Sequence, residues 1–514
     1  MSNQTSRTEN TVRNIAWGYI GNILSLIIQF VSRTVFIYTI GVSYLGINGL
    51  FSSILGMLSL SELGIGTAIN YNLYKPVAEG NIEKIKSLMA LYKKAYRIIA
   101  IIISAIGLAL LPFLPYLIKG ADEISNISFY YLVFLFNTVS SYFVSYKYGL
   151  VNAEQKGYII NSFNSVFTII ITTCQIVVLV LFRSYVFFLV SQSALQLIQK
   201  IAIGIYLNKK YPYLCDKDIS PLDVEEKKEI KKNVTALIVH KIGEISIYQT
   251  DNIIISAFIS VTLVGMVSNY NLVISSVTIF ITIIFNSVTS SIGNLIAKES
   301  KERQKEIFDI YNFLGFWLYG FVCACYFILF QPFIHLWIGG DKAIDMISLS
   351  LIILNQYLTG QRLTINNMKT AAGIFEQDKY ISLIQGMINL VVSLIMVNFC
   401  GLPGVYIGTV VSGLFANITR PVIVYKEIFG SGAKEYFKKS VKYLGTVVFT
   451  IVVLRVIAFL VFKQISWVAF IVMMALCAII PNLLFFVIYY RTKEFDGIKR
   501  RLAGLLPAKI RKMG

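Results

Sequence analysis

Apolar residues run along this chain in long, almost unbroken stretches, with polar residues gathered into the short intervals between them. Runs of about 20 apolar residues, the length that spans a hydrocarbon core of roughly 30 Å, fall near 15–39, 44–73, 95–118, 127–150, 159–182, 184–206, 233–259, 263–296, 307–330, 345–369, 379–400, 404–425, 440–462 and 466–490. The pattern predicts an all-α polytopic membrane protein of about fourteen transmembrane helices. Two polar intervals have a character of their own. Asn81 to Arg97 is amphipathic, with Ile82, Ile85, Leu88, Met89 and Tyr92 three to four residues apart, and is expected to lie along the inner membrane surface, with Lys298–Asp309 as its shorter counterpart. Residues 208–232 mix both charge signs and read as a cytoplasmic linker.

Composition agrees: 56% of residues are hydrophobic and 14% charged, against about 25% charged in soluble domains. The polar start, with Arg7 and Arg13, leads into the first apolar run without a small-residue cleavage site, so that run is expected to stay as a span. Six cysteines are scattered through apolar runs and one polar loop with neither metal-ligand nor disulfide-framework spacing, so no metal or cofactor is expected.

Charge sets the sidedness. With the N-terminus inside, the great majority of the 46 Lys and Arg residues fall on inner segments, while the outer loops hold only Lys119, Arg183, Lys342 and Lys463. Both termini are therefore expected in the cytoplasm. The net charge of +19 is spread over many inner segments rather than concentrated in one domain, which favours anionic lipid headgroups over nucleic acid as its partner.

The chain also repeats itself. Leu45-Gly46 matches Val264-Gly265, and Pro112-Phe113 matches Pro332-Phe333. Lys147–Ile159 matches Lys369–Ile381 with Lys, Glu, Gln, Tyr and Ile identical at Lys147, Glu154, Gln155, Tyr158 and Ile159. Six helices separate equivalent positions, so the copies point the same way through the membrane. The expected organisation is an N-terminal lobe (1–207), the linker (208–232), a C-terminal lobe (233–428), an extra helix pair (429–490) and a basic cytoplasmic tail (491–514). Two parallel six-helix lobes are a design for alternating access, which favours a transporter, and no outer loop is long enough to suggest a polytopic glycan polymerase or ligase.

Polar side chains inside spans mark candidate chemistry, because they are costly in lipid. Asn22, Ser25, Gln29 and Arg33 share one face of the first helix; His240, Glu244 and Asp251 share one of the seventh, flanked by Lys241; Asn355, Thr359, Arg362, Asn366 and Lys369 share one of the tenth. Arg33, Arg362, Lys241, Gln29 and Asn366 are the candidates for holding a pyrophosphate and sugars in a cationic cavity. Glu244, Asp251 and His240 are candidates for coupling to H+ or Na+, or for neutralising those cations. Lys369 reads as an interfacial anchor, and Arg420 and Arg455 as structural. Leu63-Gly64-Ile65-Gly66 is expected to interrupt the second helix, and Pro112, Pro115 and Pro332 to bend the outer ends of the third and ninth.

Arg33-Thr-Val-Phe-Ile-Tyr-Thr-Ile-Gly41, Tyr44-Leu-Gly-Ile-Asn-Gly-Leu-Phe51 and Ser61-Glu-Leu-Gly-Ile-Gly-Thr-Ala68 resemble the opening helices of Wzx-type polysaccharide flippases of the MOP exporter superfamily, and the resemblance extends along essentially the whole chain. It implies a non-enzymatic flippase of the bacterial cytoplasmic membrane. The cargo would be an undecaprenyl-diphosphate-linked oligosaccharide for capsule or O-antigen, with a glycan polymerase and other assembly proteins as partners. Of the residues above, Arg33 lies within the family-like motif. The competing readings are a lipid II flippase, which would place more cations in the first lobe than Arg33 alone, and a MATE-like cation or drug antiporter, which would favour an acidic or aromatic cavity.

Overall fold

The computed structural model describes residues 7–120, 124–216, 218–228, 230, 234, 243, 249–374 and 377–505. Among them there is no strand and the elements are helical, as a backbone in hydrocarbon must be when no water is present to satisfy its N–H and C=O groups. Among the described residues ten helices are long and apolar enough to cross a membrane, and three shorter apolar helices accompany them. Contacts divide the chain into two compact units, residues 1–268 and 269–514.

The first unit contains α1 (Arg7–Thr39), α2 (Val42–Leu58), α3 (Leu60–Glu79), α4 (Ile82–Leu110), the short α5 (Leu114–Leu117), α6 (Ile127–Ser145), α7 (Tyr148–Ala153), α8 (Tyr158–Phe182), α9 (Tyr185–Lys210) and α10 (Thr250–Ile254), which continues into a π-helical turn at Ile255–Ile259. It also holds the first turns of α11 (Val261–Lys298). α1 packs along α8, α8 along α9, and α6 on both α9 and α4. An aromatic cluster of Phe36, Tyr44, Tyr130, Tyr185 and Phe188 ties α1, α2, α6 and α9 together, with Tyr130 and Tyr185 edge-on at 4.7 Å.

Three local expectations are corrected here. The span expected at 44–73 is two helices that meet at Ser59, whose hydroxyl donates back to Leu55 O at 2.8 Å and accepts from Tyr142 Oη at 2.9 Å. A serine that offers its own hydroxyl to the preceding turn competes with the backbone ladder, whereas α3 runs unbroken through Gly64-Ile65-Gly66, where the interruption was expected. The amphipathic segment 81–97 is no separate surface helix. It begins at Asn81, whose side chain caps Lys84 N at 3.0 Å, and is continuous with the span that follows as the 29-residue α4. Lys298–Asp309 likewise leads directly into the next span, as part of the 38-residue α12 (Lys301–Ile338), which also continues through Pro332. Pro112 and Pro115 do interrupt the C-terminal end of α4, which breaks into a 3₁₀ turn and α5.

The second unit follows with most of α11, α12, α13 (Met346–Ala371), α14 (Lys379–Cys400), α15 (Leu402–Val424), α16 (Lys434–Val461), α17 (Trp467–Tyr489) and α18 (Lys493–Leu505). Helices α13, α14 and α15 pack into a tight layer, and α16 and α17 pack on α12. That contact is aromatic: the Phe316 and Tyr443 rings stack at 4.2 Å, with Phe485 and Tyr489 against Phe316 at 5.0 and 5.3 Å. The tail after α17 folds back as α18, where Phe495 stacks on Trp317 at 5.9 Å and Glu494 shares Lys439 Nζ with Asp309 at 2.7 and 2.8 Å. Burial pushes the Glu494 carboxyl up, but the lysine outweighs it and holds the group below its ordinary range. Large apolar side chains such as Ile101, Phe399, Phe459 and Val468 are exposed on the outside of the spans, where lipid would cover them.

Candidate functional site

Within the first unit, α6, α8 and α9 enclose a cavity of about 440 Å³ whose walls are polar although all three helices are candidate membrane spans. Its residues come from helical faces: Asn137, Ser141 and Ser145 at i, i+4 and i+8 on α6, and Gln192, Gln196, Gln199 and Lys200 at i, i+4, i+7 and i+8 on α9, with Asn164 from α8 and Ser52 from α2. The polar groups hold one another in place. Gln199 Nε2 donates to Asn164 Oδ1 at 3.0 Å, Ser193 Oγ to Asn137 Oδ1 at 2.9 Å, and Gln192 Oε1 accepts from Gln175 Nε2 at 3.0 Å.

Lys200 is the cation of this cavity. Its Nζ donates to Asn137 O at 2.7 Å and Ser140 Oγ at 2.8 Å, both neutral acceptors, and none of the residues described as lining the cavity is acidic. An ammonium held by neutral dipoles in a low-dielectric setting keeps an uncompensated field, which attracts an anion. Lys200 lies within the span expected at 184–206 but is not among the candidate residues read from the sequence. The signal was present in the glutamine stripe, whose face Lys200 continues.

The sequence-predicted residues fall as follows. Arg33, on α1, is half-buried and its Nη1 donates to Ser268 Oγ at 2.9 Å; Gln29 lies one turn earlier, also half-buried. Asp251 lies in the first turn of α10, where the neighbouring Asn252 donates to Ser53 Oγ at 2.9 Å. Lys241, His240 and Glu244 lie outside the described residues. In the second unit, Arg362 is 4% exposed. Its guanidinium donates to Gly413 O of α15 at 2.7 Å and to Thr359 Oγ1 at 3.2 Å. Asn366, a turn further on, is half-buried, and its Oδ1 accepts no hydrogen bond. The α13 stripe thus faces a helix–helix seam.

At the end of that stripe, Lys369 is 6% exposed and is no interfacial anchor. It pairs with Asp378, which has no exposed surface and also accepts from Arg420 Nε at 3.0 Å, while Arg420 Nη2 reaches Ser382 Oγ at 2.9 Å. Two cations therefore share one buried carboxylate. Lys147, the equivalent of Lys369 in the internal repeat, is also buried, and donates to Asn208 Oδ1 at 2.7 Å.

No family profile and no curated protein matches the chain. Solved structures do match its fold. The lipid II flippase MurJ in an inward closed conformation aligns with a TM-score of 0.62 at 13% identity, covering 92% of this chain and 98% of its own. A multidrug resistance MATE family transporter of the MOP superfamily, inward-facing, aligns with 0.61 at 15% identity over 79% of this chain and 94% of its own. A Vibrio cholerae MATE transporter gives 0.55 at 15% identity over 83% and 99%. The chain thus has the fold these proteins share, a polytopic all-α membrane architecture.

Proposed function

We propose that the protein is a transporter that flips an undecaprenyl-diphosphate-linked oligosaccharide from the inner to the outer leaflet of the bacterial cytoplasmic membrane, supplying a capsule- or O-antigen-type glycan. The observation that carries this reading is the acid-free polar cavity around Lys200. Amide and hydroxyl side chains exchange hydrogen bonds with sugar hydroxyls, and one ammonium among them serves a phosphate. A cation or drug antiporter would instead place a carboxylate against its cargo, and the described lining of this cavity has none.

In this proposal Lys200 and Arg33 are phosphate-binding cations of the first unit, with Gln29 beside Arg33. Arg362, Lys241 and Asn366 are further substrate contacts. Arg362 would have to exchange its Gly413 carbonyl for the substrate, so its engagement would accompany a movement of α13 along α15. Glu244, Asp251 and His240 are the groups proposed for coupling to H+ or Na+. No chemical bond is made or broken in such a step, so the protein acts as a carrier and not as an enzyme.

Lipid II flipping is the second reading. It is favoured by the match to MurJ, which spans more of this chain than the MATE transporters do. Proteoliposomes carrying fluorescent undecaprenyl-diphosphate oligosaccharide or lipid II in separate preparations decide between the two, through the fraction of label that an external quencher reaches. The proposal expects the oligosaccharide lipid to be exposed by wild-type protein and not by Lys200→Met. Exposure of lipid II alone supports the second reading, and movement of neither lipid overturns both.

A further inference from the structure

The second unit has its own charged cavity, of about 700 Å³, at the ends of α12 and α16. His335 and Gln331 enter it from α12, Gly340 from the turn that follows, Arg455 from α16, and Lys463 from the turn after α16. Arg455 lies six residues before the end of α16, about 9 Å along the helix axis, and Lys463 just beyond that end. The charge distribution of the chain places this end on the outer side, so the cavity reaches from the headgroup plane into the outer leaflet.

Among the described residues, His335, Arg455 and Lys463 form no ion pair or side-chain hydrogen bond, and no acidic residue lines the cavity. The nearest carboxylates in sequence are engaged elsewhere: Asp341 pairs with Lys342 at 2.9 Å, which holds its carboxyl below the ordinary range, and Asp345 caps Ser348 N at 2.8 Å. Gln331 Nε2 donates to Ile344 O at 2.7 Å. Basic side chains are depleted on the outer side of membrane proteins, and a partly apolar cavity that Arg455 and Lys463 line with no acidic residue among its walls attracts an anion. The remaining walls are apolar, from Ile328, Pro332, Phe459 and Phe462 among others. A lipid presents this combination: an anionic phosphate above a glycerol or prenyl stem. The guanidinium offers two parallel donors to phosphate oxygens, and the ammonium a point charge.

We propose that this cavity binds the phosphate of an anionic lipid in the outer leaflet, with Arg455 as the principal donor and Lys463 and His335 at the rim. The proposal is independent of the flippase reading and assigns a role to the extra helix pair, which supplies Arg455 and Lys463. The lipid is either a resident phospholipid or a polyprenyl diphosphate, and the shared chemistry is the anionic phosphate.

The test is native mass spectrometry of the full-length protein in detergent, titrated with phosphatidylglycerol, phosphatidylcholine and undecaprenyl diphosphate, in wild type and in the Arg455→Gln, Lys463→Gln pair. The pair is expected to lose about tenfold in affinity for an anionic lipid, the scale of one charge-assisted pair, with phosphatidylcholine unchanged. Loss confined to phosphatidylglycerol identifies a resident lipid; loss confined to undecaprenyl diphosphate identifies a polyprenyl ligand. Equal binding of both anionic lipids by wild type and variant overturns the proposal. If the pair melts far below wild type, Arg455→Lys is read instead: it keeps the charge but not the parallel donors, and is expected to weaken binding severalfold, unchanged binding again overturning the proposal.

Discussion

Asp378 sits with no exposed surface between the buried Lys369 and the part-buried Arg420, and its carboxylate compensates both cations. Removing its charge takes this compensation from both. Breaking a buried pair in this way costs about 3–5 kcal/mol, and Asp378→Asn is expected to lower the melting temperature of the detergent-solubilised protein sharply, whereas Glu79→Gln at an exposed i,i+4 pair with Lys75 should leave it unchanged within error. Lys200 meets the membrane differently, supported by the neutral oxygens of Asn137 and Ser140. Its replacement by Met is therefore expected to leave folding intact while abolishing transport, measured as melting temperature alongside the quenching assay. A loss of both would make Lys200 structural. Sequence reading found Arg33, Arg362 and Lys369 from helical spacing, but spacing reports only which residues share a face. Whether that face meets space or a neighbouring helix is decided by packing, which for Arg362 sets the Gly413 carbonyl of α15 at 2.7 Å from the guanidinium.

At the level of elements, residues matched by the internal repeat meet one another. Gly46 of α2 lies against the Val261 carbonyl, and Gly265 of α11 against the Val42 carbonyl, so that a Cβ built on either would come within 1.8 or 2.2 Å of backbone oxygen. Ser43 and Thr262 face each other at 2.9 Å between them. The contact is reciprocal residue for residue, which makes it locally twofold, and it is close because glycine lets two backbones approach. Gly46→Leu has nowhere to place its side chain and is expected to cost about 3 kcal/mol or more through overpacking, read as a fall in melting temperature. Ser43→Cys combined with Thr262→Cys is expected to form a disulfide on mild oxidation, seen as a mobility shift on a non-reducing gel after cleavage in the linker; no shift would mean that α2 and α11 do not stay in this contact. The Leu45-Gly46 and Val264-Gly265 matches were visible in the sequence, but their meeting was not, because a repeat specifies equivalence and leaves the distance between copies open.

For the whole molecule, the charge pattern makes a prediction that the fold can test. Cys215, after α9, and Cys400, at the end of α14, are both exposed and belong to opposite sides of the expected topology. A membrane-impermeant maleimide is expected to label Cys400 in intact cells and Cys215 only after permeabilisation. The reverse pattern would invert the orientation, and with it the placement of the Arg455 cavity in the outer leaflet.

Hydrophobic run length by itself determined that this chain is an all-α polytopic membrane protein, and it set the ends of α14 and α17 almost to the residue. The reason is that a span must satisfy its own backbone and cover about 30 Å of hydrocarbon, demands that each segment meets locally. Only the tertiary structure decided that the amphipathic stretch 81–97 continues into a span, that α2 ends at Ser59, and that the basic tail docks as α18 against Trp317. It alone gathered Asn137, Asn164, Gln196 and Lys200 into a polar cavity while sealing Arg362 into a seam. A cavity is made by several helices that are distant in sequence, and the face each turns inward is chosen by side-chain packing among them.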